Sequence, residues 1–327
     1  MKKKEKKFLL ILIIVSIIIV IFEKNLIYEL NKKYYLSEIS ENEKIIGLAD
    51  VSGEGIIMNI NDGLDLVHQE DLVILLDELK NAGAEAISIN EKRITPNTYV
   101  YCDGGVILID EQKIGNPFTI KAIGNSDKIY NSIMREKGYI STLTNDGIKV
   151  DVKKENNVQI CKTNKEISKK INTLKNEEKK LTLTSKIAGK AKMTDEGVEI
   201  YIYPKNEKDV TALTLMQLVN DLNSAGVQAI SINENRVLSM SDLMDANNKY
   251  VLLDGVPIKA PYLVKAIGNI KKINETLNYK NSTINKLKEK ETETYIDSKF
   301  FVTVEEYDET IGKNKIVTNY LKWLKTK

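Results

Sequence analysis

The stretch AGAEAISINEKR at residues 82–93 returns as AGVQAISINENR at residues 225–236, with nine of twelve positions identical. The sequence KAIGN also occurs twice, at residues 121–125 and 265–269. Self-similarity at a fixed spacing indicates repeated copies of one structural unit. The 327-residue chain is therefore interpreted as a tandem duplication.

Each copy opens with a predicted strand and a predicted helix. GLADVSGEGIIMNI (47–60) aligns with GKAKMTDEGVEIYI (189–202), and both end in the alternating pattern of a strand. Apolar residues at helical spacing follow: Leu72, Leu75, Leu76 and Leu79 in copy one, and Leu215, Leu218, Val219 and Leu222 in copy two. Gly83 and Gly226 suit the left-handed position that ends such a helix.

The AISIN segments predict the next strand, and strand–helix–strand order predicts a parallel pair with a right-handed crossover. Further strands are predicted at 106–110 and 251–254, at 117–123 and 261–267, and at 147–153 and 299–306. A single second helix is expected from about Asp127 to Lys137 and from about Lys271 to Lys288. The fold class is thus α/β (α+β), with two mixed-sheet, two-helix sandwich modules resembling a ferredoxin-like plait.

An apolar segment, FLLILIIVSIIIVIF, occupies residues 8–22. Extended through Tyr28, it predicts a transmembrane helix. A cleaved signal peptide is the alternative, but the residues after Phe22 contain no small-residue cleavage site, which favours an uncleaved signal anchor. Five lysines precede the segment, so the N-terminus is expected in the cytoplasm and the bulk of the chain outside the cell.

These patterns divide the chain into consecutive segments. They are a basic N-terminus (1–7), a signal anchor (8–28), a juxtamembrane helix (29–44), a first module (45–161), a Lys-rich and partly helical linker (162–186), a second module (187–310) and a basic amphipathic tail (311–327). The linker is expected to replay the helix that precedes the first module. The tail is expected to pack on the second module in preference to a membrane surface.

Composition restricts the function classes. The formal net charge is +2, but residues 1–7 alone contribute five lysines and one glutamate, so the remainder is slightly acidic and no nucleic-acid partner is expected. No cofactor motif is present: the sequence contains no P-loop, no G-x-G-x-x-G and no C-x-x-C. Cys102 and Cys161 could form one disulfide, but two half-buried free thiols are the favoured interpretation.

The combination of AGAEAISINEKRIT, a Pro-aromatic step (Pro117-Phe118 and Pro261-Tyr262) and KAIGN resembles the bacterial YlxW/YlxX-like family, domain of unknown function 881. The resemblance covers about residues 45–160 and 187–308. It implies a single-pass, outward-facing envelope protein, often linked to cell-division gene clusters in Gram-positive bacteria, without an established activity. This sequence differs from the usual pattern in carrying two copies of the domain.

Asn90 and Arg93, with Asn233 and Arg236, are the strongest candidate polar positions, because two of the three arginines fall at equivalent places. Arg offers five donors for a carboxylate or phosphate. The favoured alternative is that these side chains satisfy backbone carbonyls in a loop.

His68 lies among Asp62, Asp65, Glu70 and Asp71, but solvated acids near a helix N-terminus explain this run better than a metal site. The leading hypothesis is a non-enzymatic, membrane-anchored scaffold or accessory factor that binds a protein of the cell envelope or division machinery. A sensor for a small anionic ligand is second, and a cell-wall-acting enzyme is third.

Overall fold

A computed structural model describes residues 3–63, 66–163, 166–206, 208–246 and 250–308. Over these residues the chain forms a long N-terminal helix and two copies of one sheet-and-helix unit. We call the copies module 1 (residues 51–160) and module 2 (residues 193–304). The α/β class and the duplication are confirmed. The expected tail at residues 311–327 lies outside the described residues.

Helix α1 (Lys3–Ile45) is continuous over 43 residues. At about 1.5 Å per residue it is roughly 65 Å long. Most of its apolar side chains from Ile11 to Leu36 are exposed, whereas Ile39, Asn42 and the following Ile46 are buried against the body. The expected anchor and juxtamembrane helix are therefore parts of one uninterrupted helix.

The linker between the modules contains helices α5 (Glu166–Thr173) and α6 (Glu177–Ile187). Helix α6 ends at Ile187 and is followed by Gly189 at positive φ, just as α1 ends at Ile45 and is followed by Gly47 at positive φ. The two helices contact each other: Asn42 donates to the hydroxyls of Thr184 (3.2 Å) and Ser185 (3.1 Å). The body is thus attached directly to the apolar helix.

The two modules contain the same elements in the same order. Module 1 consists of β1 (Val51–Asn61), α2 (Gln69–Asn81), β2 (Ala86–Ile89), β3 (Lys92–Arg93), β4 (Val100–Asp103), β5 (Val106–Ile109), β6 (Gln112–Ile114), β7 (Phe118–Ile123), α3 (Ser126–Ile133), α4 (Tyr139–Asn145) and β8 (Lys149–Ile160). Module 2 consists of β9 (Met193–Tyr203), α7 (Ala212–Ser224), β10 (Ala229–Ile232), β11 (Asn235–Val237), β12 (Leu243–Ala246), β13 (Tyr250–Leu253), β14 (Val256–Ile258), β15 (Tyr262–Ile267), α8 (Ile270–Leu277), α9 (Thr283–Glu289) and β16 (Glu293–Val304).

The main sheet of module 1 has the order β3-β2-β7-β1-β8, and that of module 2 has the order β11-β10-β15-β9-β16. Without the short edge strand, this is the split β-α-β arrangement of a ferredoxin-like plait. The predicted parallel direction of β1 and β2 is confirmed, because both pair antiparallel with β7, but β7 lies between them and they are not hydrogen-bonded neighbours. A separate three-stranded sheet, β4-β5-β6 or β12-β13-β14, is added to each plait.

The core of each module lies between the main sheet and its helices. The stripe predicted on the first helix is confirmed, since Leu72, Leu75 and Leu79 are fully buried against β1 and β2. The second helix expected in copy two breaks into α8 and α9, whereas the one expected in copy one ends at Ile133, and α4 begins beyond its predicted end. In module 2 the break follows Asn278, where helix α9 restarts with Ser282 as its N-cap.

Both cysteines differ from their expected environment. Cys102 and Cys161 are free thiols, and both are exposed instead of half-buried. Cys102 lies on β4, an edge strand of the added sheet, and Cys161 follows the last residue of β8.

Candidate functional site

Asn90 and Asn233 occupy the tight turns after β2 and β10, with positive φ angles of 44° and 47°. Asn tolerates this left-handed conformation better than most residues. The Asn90 side chain donates to the carbonyls of Gly115 (2.8 Å) and Pro117 (3.3 Å) and accepts from the Thr119 amide (2.7 Å). Asn233 makes the matching three bonds in module 2. Each Asn therefore holds the loop that leads into the central strand of its sheet.

Arg93 and Arg236 reach the ends of the helices that precede their modules. Arg236 donates to the carbonyls of Lys186 (2.9 Å) and Glu305 (3.3 Å). Arg93 donates to the carbonyl of Lys44 (3.2 Å), at the end of α1. Both side chains are buried, with exposed fractions of 5% and 3%. Burial lowers the pKa of both guanidinium groups, that of Arg236 to about 10.

The two arginines differ in how fully their donors are used. Among the described residues, Nε and Nη1 of Arg93 have no hydrogen-bond partner, whereas Arg236 lacks a partner at Nε alone. A buried donor without an acceptor costs about 1–3 kcal/mol. Arg93 is thus the less satisfied of two equivalent groups.

A cleft of about 920 Å³ lies between the modules and includes Arg93 in its wall. The hairpin of module 1 contributes Glu91 and Lys92, and the end of α7 with α8 forms the opposite wall. Residues 233–236 do not line this cleft, so the two AISIN strand ends do not share it. Asn90 and Arg93 are close in sequence, but their side chains contact different parts of the protein.

The modules contact each other through α2 and α7, and equivalent residues of the two helices make the contacts. Asp77 on α2 accepts from the Leu243 amide of module 2 (2.9 Å). Its counterpart on α7, Asn220, accepts from the Val100 amide and donates to the Val100 carbonyl of module 1, both at 2.8 Å. A second cavity of about 80 Å³ lies between these contacts. We call this contact region the seam.

One half of the seam holds a cluster of buried carboxyl groups. Asp77, Asp242 and Asp254 have exposed fractions of 7–9%. Burial raises the pKa of Asp77 and of Asp242 to about 7, and Asp254 is shifted in the same direction for the same reason. Lys80 faces the cluster, and burial lowers its pKa. The other half has Asn220, Tyr99 and Asp110 at the positions equivalent to these aspartates, and Asn223 at that of Lys80.

His68 is the N-cap of α2, and the acidic residues near it have separate hydrogen-bond partners. Its amide donates to Asp71 (2.5 Å), and Asp62 accepts from the Val67 amide (2.6 Å). Glu70 accepts instead from Gln217 of module 2 (2.8 Å). These contacts agree with the interpretation of the run as acids near a helix N-terminus; Asp65 lies outside the described residues.

No motif in the sequence indicates the seam carboxyl groups directly. Asp77 lies beside the apolar stripe of α2, and an acidic residue at such a position is expected to be exposed. Comparison of the copies contained a signal, because Asp77 and Lys80 align with the uncharged Asn220 and Asn223. A charge present in one copy alone marks a place where the two environments differ.

The geometry defines a class of protein: a repeated ferredoxin-like body, joined without a break to a long apolar helix, whose repeated Asn and Arg side chains hold backbone. The chain belongs to the family described as bacterial protein of unknown function (DUF881), whose model matches residues 38–173 and 180–317. The matched segments include the last turns of α1 and of α6, so the helix end is part of the repeated unit.

Several proteins of unassigned function are similar to this chain. UPF0749 protein YlxW of Bacillus subtilis (strain 168) is 32% identical over 142 residues, which cover 39% of this chain and 62% of YlxW. UPF0749 protein YlxX of the same strain is 26% identical over 121 residues, covering 34% and 52%. An uncharacterized conserved protein from Mycobacterium tuberculosis, of known crystal structure, is 24% identical, with a TM-score of 0.36 over 38% of this chain and 89% of that one. The chain thus spans less than two thirds of either Bacillus relative.

Proposed function

We propose that this protein is a single-pass membrane protein whose two-module body stands outside the cell. There it acts without catalysis, as a scaffold or accessory factor for a protein of the bacterial cell envelope or division machinery. The observation that carries the proposal is the continuity of α1, whose apolar residues from Ile11 onward are exposed and whose end is buried where it enters the body.

The exposed part of α1 has the length and composition of a membrane span. Residues Ile11–Ile45 include a window with a mean hydropathy of 2.3, and none of that window is buried in the body. Phe22, for example, is 67% exposed. A bilayer core of about 30 Å needs about 20 apolar residues in a helix. Contact with lipid would remove an apolar surface that is otherwise unfavourable in water.

Charge supports the orientation. The five lysines before the apolar segment favour retention of the N-terminus in the cytoplasm. The body follows the other end of the segment and is therefore assigned to the outer side. Because α1 packs directly on α6, the body is held close to the membrane surface instead of being attached by a flexible linker.

The use of the repeated polar residues supports contact over catalysis. Asn90, Asn233 and Arg236 are engaged with backbone groups, as structural residues are. By contrast, Phe300 and Phe301 on edge strand β16 are 80% and 81% exposed. Large exposed apolar side chains are typical of protein interaction sites.

The same place in module 1 provides a matched control. Strand β16 has a bulge between Lys299 and Val302, and β8 has a bulge at the equivalent position, opposite Gly53 and Gly55. The bulge holds Phe300 and Phe301 in module 2 and Asn156 and Asn157 in module 1. The two bulges share backbone geometry and differ in side-chain chemistry.

Site-specific photo-crosslinking in living cells tests the proposal. A photoreactive phenylalanine analogue is placed at Phe300 in one strain and at Asn156 in another. The proposal expects a discrete adduct with an envelope or division protein at position 300 and a weaker one, or none, at position 156. Equal labelling of abundant, unrelated proteins at both positions would contradict a specific partner.

A further inference from the structure

One pair of equivalent residues differs beside the inter-module cleft. Thr163 and Tyr307 follow the last strands of the two modules, and their amides donate to equivalent carbonyls, Gly47 and Gly189, both at 2.8 Å. The Tyr307 ring is half-buried, and its hydroxyl hydrogen-bonds with Asp254. Thr163 lines the cleft with a much smaller side chain.

The cleft also contains the less satisfied arginine. Arg93 is only 5% exposed, and its Nε and Nη1 lack an acceptor among the described residues. In module 2 the equivalent Nη1 donates to the Glu305 carbonyl. Module 1 therefore leaves a buried cation short of one acceptor, at the wall of a space large enough to hold a ligand.

We infer that this cleft is a binding site for a small organic anion, whose carboxylate or phosphate oxygen supplies the acceptor that Arg93 lacks. The volume of about 920 Å³ falls within the usual range of ligand pockets, about 300–1,000 Å³. Apolar side chains, including Ile46, Ile109 and Ile187, line part of the cleft and favour an organic molecule over a bare ion.

The charges around the cleft make Arg93 the selective element. Four cationic and four acidic side chains line it: Lys92, Arg93, Lys162 and Lys272, with Glu91, Asp110, Glu111 and Glu275. Apart from Arg93, three cationic and four acidic side chains remain, so these charges provide no general attraction for anions. Arg93 differs by its burial, which strengthens an ionic hydrogen bond relative to one in water.

A ligand bound to Arg93 would be linked to helix α1 through the Arg93 side chain. Nη2 of Arg93 donates to the Lys44 carbonyl in the last turn of α1. Ile46, directly after α1, lines the cleft, and so does Ile187 at the end of α6. Occupancy is therefore expected to tighten the contact between helix and body.

The test compares thermal unfolding of the detergent-solubilised full chain with increasing sodium phosphate, sodium acetate or sodium chloride at constant ionic strength. The phosphate and acetate arms separate the two possible anionic groups. Three variants are measured beside the unmodified chain. Thr163→Tyr fills the cleft with the residue that module 2 carries, Arg93→Lys removes the planar guanidinium, and Arg236→Lys is the matched control.

The inference expects phosphate or acetate to raise the unfolding midpoint with concentration, as a ligand that binds the folded state does. Arg93→Lys should weaken this binding at least about tenfold, Thr163→Tyr should abolish it, and Arg236→Lys should keep it. General salting effects of phosphate act on all variants alike. Equal midpoint shifts in all four proteins, or no shift in the unmodified chain, would overturn the inference. If Thr163→Tyr does not fold, by circular dichroism, the two lysine variants decide between these outcomes.

Discussion

Module 1 and module 2 repeat the same elements in the same sheet order, but they differ along the seam. Residues that hold backbone are the same in both copies, as Asn90 and Asn233 show. Residues that face the other module are not, since Asp77 corresponds to Asn220 and Lys80 to Asn223. Internal identity therefore marks what the fold needs, whereas internal difference marks where the copies have separate tasks.

The largest effect is expected at a glycine that both modules need. Gly55 on β1 and Gly197 on β9 lie so close to the carbonyls of Ala122 and Ala266 that any Cβ would collide with backbone. Gly55→Ala and Gly197→Ala should each lower the free energy of unfolding by more than about 3 kcal/mol, because a strand must move. Denaturant titration measures this, with Gly63→Ala, which meets open space, as the control. A loss of stability for only one of the two variants would show that the two modules do not depend on this glycine equally.

A pH-dependent effect is expected at the seam. The pKa of Asp77 rises from 3.8 to about 7 on folding, so the folded state binds more protons between these values. Stability from this group is complete below about pH 4 and is lost as the pH rises toward 7. Asp242 acts in the same direction, while Lys80 partly offsets the charge of the ionised aspartates.

Asp77→Asn should therefore reduce the loss of stability between pH 5 and pH 8 by one to a few kcal/mol, on the order of the shift at a buried carboxyl. Asn220→Asp, in the other half of the seam, should add a loss of the same sign. The urea midpoint at the two pH values measures both. An Asp77→Asn variant with an unaltered pH slope would show that the seam carboxyl is not linked to folding.

A smaller difference is expected between the two arginines. Arg236 holds two carbonyls, whereas Arg93 holds one. Arg236→Lys should therefore cost about 1–2 kcal/mol of unfolding free energy, and Arg93→Lys less, because a hydrogen bond from a charged donor contributes about 1.5–3 kcal/mol and Lys retains part of it. Chemical denaturation in phosphate-free buffer compares the pair. A greater loss for Arg93→Lys would reverse the assignment of which arginine is structural.

The smallest effect on stability is expected at the two bulges. Phe300→Asn with Phe301→Asn copies module 1 into module 2, and should change the unfolding free energy by no more than about 0.5 kcal/mol, because exposed side chains contribute little. The reciprocal Asn156→Phe with Asn157→Phe is the control. Thermal unfolding checks both, and a large loss in the first variant would show that the phenylalanines pack within the chain.

The sequence predicts the local elements better than it predicts their partners. The stripe through Leu72 and Leu79, the Gly83 cap and the ferredoxin-like character follow from spacing and residue type. The position of β7 between β1 and β2 does not, because pairing order depends on long-range contacts that leave no local pattern. Similarly, Asn90 and Arg93 stand out as a repeated pair, but their partners Pro117 and Lys44 lie 27 and 49 residues away.

The cleft and the buried aspartates were beyond prediction for a related reason. Both arise where two modules meet, and the docking of surfaces is not encoded in either copy alone. Cys102 illustrates a smaller limit: its residue type favours burial, but its place on a short outer strand leaves it exposed.

Labelling of the two natural thiols tests the location of the body most directly. Cys102 and Cys161 are both exposed, so intact cells treated with mild reductant and a membrane-impermeant maleimide report which side of the membrane the body occupies. A chain with both residues changed to Ser is the blank. We predict labelling of the unmodified chain in intact cells, to the same extent as after lysis. Labelling that appears only after lysis would contradict an outward-facing body.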